Sequence, residues 1–178
     1  MVVCLCSCKS TAGTDHDQIV KSAIDLAQTY VSSQDYDKAI AVYEKALDQA
    51  DDFRLSYNYA LALSETGQYR QAAEVCANAF THYPHIIAFK KAQAIYLAMD
   101  GNLADSNQIY LEILALDPYD KEARLSLIAQ YESMDEMDKA YEEALVLWNQ
   151  GYKEKITIEI LYRIEPQLWS NIYHQIVK

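Results

Sequence analysis

Glycine and proline are scarce in this chain, four and three among 178 residues. That leaves little room for long loops and suits tight helical hairpins. No internal stretch of 18 apolar residues exists, which excludes a transmembrane helix in the body of the chain. Basic residues are outnumbered 15 to 26 by acidic ones, for a formal net charge of −11. An acidic surface repels phosphate backbones, so nucleic acid is excluded as an expected partner. The acids are scattered along helix faces and read as a solvated surface.

The motifs of chemistry are missing as well. There is no glycine-rich phosphate loop, no Gly-x-Ser-x-Gly elbow and no His-Glu-x-x-His pair. The histidines are His16, His82, His85 and His174, and His82-Tyr83-Pro84-His85 is the one local cluster. It straddles a helix end and a proline turn, with no carboxylate at ligand spacing, and reads as loop histidines. Asp51-Asp52 and Glu142-Glu143 read as helix-start or solvated-face charges. The expectation is a non-enzyme with no cofactor and no metal.

What the chain does have is hydrophobic content, 51% of residues, enough to bury a sizeable stacked core. It also has a period. The segments Asp35-Tyr36-Asp37-Lys38-Ala39-Ile40, Gln68-Tyr69-Arg70-Gln71-Ala72-Ala73, Asn102-Leu103-Ala104-Asp105-Ser106-Asn107 and Glu136-Met137-Asp138-Lys139-Ala140-Tyr141 align. Their small residues Ala39, Ala72, Ser106 and Ala140 are 33, 34 and 34 positions apart. A fixed period of that size predicts stacked helical hairpins.

Each period holds two amphipathic helices. In the first, helix A carries Ala23, Leu26, Ala27 and Tyr30, and helix B carries Tyr36, Ala39, Ile40, Tyr43, Ala46 and Leu47. The steps of three and four place one apolar stripe toward the neighbouring helix. Ala27 and Ala39 let the two backbones approach, and the tyrosines fill the gaps between hairpins. Gly67 and Gly101 fall where helix A must stop and turn, and Pro84 and Pro118 just past the end of helix B.

These residues resemble the tetratricopeptide repeat family. The matches are the small residue of helix A, the turn Gly67-Gln68-Tyr69-Arg70-Gln71-Ala72, the helix-B aromatics Tyr43 and Tyr110, the later small residues Ala46 and Ala79, and the closing prolines Pro84 and Pro118. The resemblance covers roughly residues 20 to 152. It departs from the family where a large residue is expected early in helix A, since Ala23, Ser56, Lys90 and Arg124 stand there. The fourth unit has Asp135 in place of glycine and no closing proline.

The resemblance implies an all-α solenoid of about four tetratricopeptide-like hairpins, at about 18–52, 53–86, 87–120 and 121–152. Residues 153–178 are expected to form capping helices. Lys155 to Ile164 reads as an A-type helix with some strand ambiguity from its β-branched residues, broken by Glu165-Pro166. A last helix follows with Leu168, Trp169, Ile172, Tyr173 and Ile176 on one side. A solenoid needs such a cover over its final apolar face. Trp169 and Tyr173 serve equally well to face a second copy, so a homo-oligomer through these helices stays open.

In the family, stacked A helices line a groove that holds a protein or peptide partner. Carried onto this chain, the groove residues are Ile24, Gln28 and Val31, then Tyr57, Asn58 and Leu61, then Lys91, Ile95 and Met99, and finally Leu125 with Ala129. One subclass grips a terminal carboxylate with Lys, Arg and Asn. Here only Asn58 matches such a position, and Ile24, Gln28, Ala88 and Ala92 occupy others, so that mode is rejected. The expected occupant is an amphipathic helix or extended apolar segment anchored by Tyr57, Leu61, Ile95 and Met99. The alternative is that some of these residues pack against the last helix or an oligomer mate.

Three of the four cysteines stand in the first eight residues, and Leu5-Cys6-Ser7-Cys8 resembles a bacterial lipobox, with Cys8 as the lipidated residue. Only Val2, Val3, Cys4 and Leu5 precede the site, short of the basic start and apolar run of a signal peptide. A Cys-x-Cys-x-Cys metal clip lacks a fourth ligand nearby, and an unprocessed thiol-bearing tail is the other alternative. Lipidation makes residues 1–17 an anchor and flexible tether, and puts the repeats in the bacterial cell envelope. Acyl chains contribute about 0.8 kcal/mol per buried CH₂. Cys76, on an apolar helix stripe, is expected to be a core thiol. The functional expectation is a lipid-anchored adaptor. Its alternatives are a cytoplasmic assembly protein and a carrier of small apolar ligands.

Overall fold

Antiparallel helix pairs follow one another along the whole described chain, the tetratricopeptide-like solenoid class of all-α folds. The structure is a computed structural model that describes residues 11–177, with side chains in the first helix described from Asp15 onward. The helices are α1 (Thr11–Ser32), α2 (Tyr36–Leu47), α3 (Phe53–Glu65), α4 (Tyr69–His82), α5 (Ile87–Met99), α6 (Leu103–Leu116), α7 (Lys121–Ser133), α8 (Met137–Asn149), α9 (Lys155–Ile164) and α10 (Pro166–Ile176). The chain divides into two compact units between Tyr96 and Leu97, inside α5.

The turns between paired helices share one backbone solution. Gln34, Gly67, Gly101 and Asp135 have φ of 59°, 77°, 85° and 60°. The next residue in each case returns its N–H to a carbonyl five residues back: Asp35 to Tyr30 (2.9 Å), Gln68 to Leu63 (3.0 Å), Asn102 to Leu97 (2.8 Å) and Glu136 to Tyr131 (2.9 Å). This is the left-handed helix C-cap, which satisfies carbonyls that the helix end leaves open. Glycine meets that φ without cost. Gln34 and Asp135 meet it because the hairpin imposes it. Side-chain caps start α3, α6 and α7, where Asp52, Asn102 and Asp120 accept from the N–H of Arg54, Asp105 and Ala123.

In the first unit the core is built on small residues. Ala27, Ala39 and Ala72 are fully buried, and around them pack Val20, Tyr43, Leu55, Leu63, Cys76 and Phe89. Burying a side chain such as Leu63 stabilises the fold by about 1.5–3 kcal/mol. Lys90, at the position where a large residue was expected, lays its ammonium 5.1 Å from the Phe80 ring centroid. The expected tether behaves differently from its reading. Thr11 to Asp17 belong to α1. There His16 Nε2 lies 3.2 Å from the Asp51 carbonyl and Asp17 lies 3.6 Å from the Arg54 guanidinium, contacts that fix this turn on the start of α3.

The second unit buries polar groups among its apolar ones. Ser106 stands where the other repeats have alanine, and its hydroxyl accepts from Gln130 Nε2 at 2.9 Å. Arg124, another departure from the family pattern, is buried, pairs with Glu143 of α8 and donates to the Pro118 carbonyl at 2.9 Å. At the carboxy end α9 has the expected bounds and is helical, and α10 opens on Pro166, a residue suited to a first helical turn. Trp169 is buried against Trp148, ring centroids 5.1 Å apart, and its Nε1 donates to the Tyr141 hydroxyl at 3.1 Å. Tyr173 stacks on Tyr162 at 4.2 Å. Both aromatic residues therefore belong to the cover of α8 and α9 within this unit.

Candidate partner-binding surface

Three helix segments carry the groove candidates of the first unit. Gln28 and Val31 lie in the last turns of α1, Tyr57, Asn58 and Leu61 along α3, and Lys91 and Ile95 on α5. Ile24 and Val31 are half-buried and pack against the core of the first hairpin, so they also hold the fold. Tyr57, Leu61 and Ile95 are large and apolar, yet 51%, 42% and 43% exposed. Tyr57 and Leu61, one helical turn apart, form a continuous exposed patch on α3. Met99 and Leu125 lie in the second unit; Met99 is 52% exposed and Leu125 half-buried.

Four of the candidates converge. Gln28, Val31, Asn58 and Leu61 line a depression of about 290 Å³ together with Tyr36 and Glu65. Sequence reasoning missed the last two. Tyr36 was assigned to hairpin packing and Glu65 to the solvated acids. The signal that finds them is their position, Glu65 one turn beyond Leu61 on the same stripe of α3 and Tyr36 first in α2. A larger depression of about 630 Å³ lies between α1 and α2, floored by Ile19, Leu26, Ala41 and Val42. It too was not expected, because the period draws attention to the faces between repeats and away from the outer face of the first hairpin.

Several of the groups able to do chemistry are committed to structure. Cys76 is buried and burial pushes its thiol up to about 12, which leaves it protonated and inert. Asp52 caps α3 and binds Arg54 through both carboxylate oxygens, at 2.9 and 2.8 Å. Asp51, read as a helix-start charge, is instead a junction. Its carboxylate lies 3.2 Å from His82 Nδ1 and accepts the Tyr83 hydroxyl at 3.1 Å. That contact, with burial as the larger cause, raises the Tyr83 phenol to about 12. Among the described residues no group of three or more His, Cys, Asp or Glu side chains is placed to hold a metal ion, and no helix is long and apolar enough to cross a membrane. Cys4, Cys6 and Cys8, with the lipobox-like motif, lie outside the described residues.

Comparison with known proteins follows this geometry. The tetratricopeptide repeat family matches residues 30–95. No curated protein sequence matches. Among solved structures, a crystal structure of MamA protein is similar at a TM-score of 0.68 and 15% identity, over 89% of this chain and 86% of that one. MamA from residue 41 onward of Desulfovibrio magneticus RS-1 is similar at 0.65 and 15%, over 88% of each chain. A tetratricopeptide repeat protein from Parabacteroides merdae ATCC 43184 is similar at 0.69 and 15%, over 84% of this chain and 61% of that one. At such identities the likeness is one of fold. Residues 30–95 thus match the tetratricopeptide repeat family, and the described chain has the tetratricopeptide-like solenoid fold.

Proposed function

We propose that this protein is a non-catalytic scaffold that holds a segment of a partner protein against the exposed faces of α3 and α5. The observation that carries the reading is the exposure of Tyr57, Leu61 and Ile95 on the helices that line the family's groove. Aromatic and large aliphatic side chains left open to water in this way are the anchors from which a partner segment gains affinity. The test is affinity capture from the native host with wild type and the Tyr57→Ala, Leu61→Ala double variant. Both side chains are about half exposed, so the variant is expected to keep its thermal unfolding midpoint. Partners retained by a folded double variant at wild-type levels would sink the proposal.

A lipid anchor at Cys8 belongs to the same proposal and rests on Leu5-Cys6-Ser7-Cys8 alone. It is tested by labelling with a clickable palmitate in the native host and fractionating membranes. Label present in wild type and absent in Cys8→Ala supports an envelope location. An unlabelled protein in the soluble fraction points to cytoplasmic assembly instead.

A further inference from the structure

On the reading that this face receives a partner segment, we propose that the depression bounded by Gln28, Val31, Tyr36, Asn58, Leu61 and Glu65 seats a basic side chain, lysine or arginine, of that segment. Its volume of about 290 Å³ suits one side chain, just below the range of roughly 300–1,000 Å³ typical of ligand pockets. Its one charged wall group is an acceptor. Glu65 brings a carboxylate, and no Lys or Arg lines the depression. Among the described residues Glu65 has no cationic partner. The amide nitrogen of Asn58 is bound to the Arg54 carbonyl at 2.7 Å, which leaves its Oδ1 as the group able to receive a donor. Tyr36 adds an aromatic ring of the kind that attracts a cation.

The helices add to this field. The depression lies at the last turns of α1, which ends at Ser32, and of α3, which ends at Glu65. A helix carries partial negative charge at its carboxy end and favours cations there. Neither α1 nor α3 has a basic residue in its last turn. The start of α2 at Tyr36 opposes these two helix ends with partial positive charge, so the sign of the site is set by the full charge of the Glu65 carboxylate, in a space that the described residues leave without a cation. A partner carboxylate meets repulsion there, and a purely apolar side chain strips water from Glu65 and Asn58 without replacing their hydrogen bonds. Val31 and Leu61 receive the aliphatic stem of a lysine or arginine, whose charged head reaches the acceptors.

The test is selection from a phage-displayed random peptide library on the full chain. Wild type, Glu65→Gln, Glu65→Lys and the Tyr57→Ala, Leu61→Ala double variant serve as baits, each with its fold checked by circular dichroism. Wild type is expected to enrich peptides with Lys or Arg at one fixed position beside apolar residues. A synthetic peptide of that sequence is expected to bind Glu65→Gln about three- to fivefold more weakly, the range of a partly exposed ion pair. Glu65→Lys is expected to select Asp or Glu at that position. Enriched peptides that need Tyr57 and Leu61 but have no basic position, or that bind Glu65→Gln as well as wild type, overturn the inference and leave the docking face standing. If no peptide distinguishes wild type from the double variant, the docking face falls and the inference falls with it.

Discussion

The two units of this chain are built from the same repeat yet differ in what they bury. In the first, Asp52 and Ser56 are the buried polar residues among those described, and Asp52 is held by a cap and an ion pair at the edge of α3. In the second, Ser106, Asn107, Arg124, Gln130 and Thr157 are all buried. The buried side-chain atoms without a hydrogen bond, Asn107 Oδ1, Arg124 Nε, Gln130 Oε1, Gln150 Oε1 and Thr157 Oγ1, lie in the second unit too. Apolar packing tolerates substitutions of like volume, whereas a polar group in a core fixes its partner and costs stability when that partner is incomplete. The first unit is thus the more tolerant scaffold, and it also carries the exposed Tyr57 and Leu61. In the second unit polar pairs help to decide which helix packs on which.

The strongest way to break that contrast is to remove one side of the Arg124–Glu143 pair. The side chain of Arg124 is 8% exposed and that of Glu143 20%. Glu143→Ala leaves the guanidinium with the Pro118 carbonyl as its remaining partner. We expect a loss of about 3 kcal/mol, the lower end for breaking a buried pair because Glu143 keeps some contact with solvent. Native-state hydrogen exchange read by mass spectrometry should show faster exchange in α7 and α8, with α1 to α4 unchanged. The double variant Arg124→Met, Glu143→Leu should recover wild-type stability or exceed it. If Glu143→Ala speeds exchange equally in α3 and α7, the two units do not differ in the way their cores suggest.

That pair also marks where the sequence stops being legible. The repeat, the helical hairpins, the left-handed turns at Gly67 and Gly101 and the bounds of α9 were open to reading, because each is local. Period, helical spacing and glycine act within a few residues of themselves. Arg124 with Glu143 and Ser106 with Gln130 are 19 and 24 residues apart, and a substitution at one end looks like a defect until the other end is placed. Gln34 gave no hint of a positive φ, since the turn around it imposes that conformation. The depression was half legible. Gln28, Val31, Asn58 and Leu61 follow from the family register and Glu65 from its place one turn beyond Leu61, while the part of Tyr36 required the packing of α2 against α3.

A smaller effect sharpens the same contrast from the opposite direction. Thr157 is fully buried in α9 and its hydroxyl has no partner. Thr157→Val keeps the shape, retains a β-branched side chain and removes an unsatisfied group. It should stabilise the protein by about 1 kcal/mol, measured as a higher urea midpoint at unchanged slope. Ser56→Ala in the first unit is the matching control, and no gain of that size is expected from it.

The smallest expected effect concerns the one buried charge among the described residues of the first unit and turns on pH. The hydrogen-bonded Arg54 guanidinium holds the Asp52 carboxyl below the ordinary carboxylate range, against the opposing effect of burial. A carboxylate depressed in the folded state contributes stability above its unfolded value of about 3.9 and loses it as pH falls through the lower folded value. Asp52→Asn keeps one oxygen for the Arg54 N–H, removes the charge and replaces the acceptor of Arg54 Nη2 with an amide nitrogen. The Arg54 side chain is 45% exposed, so the ion pair is screened and we expect a loss of about 0.5–1 kcal/mol at pH 7. In urea unfolding the gap between wild type and variant should narrow as pH falls below about 4, and shrink at pH 7 as salt is raised. A gap that stays constant from pH 7 to pH 3 would assign the effect to lost capping geometry and remove the one electrostatic contribution credited to the first unit's core.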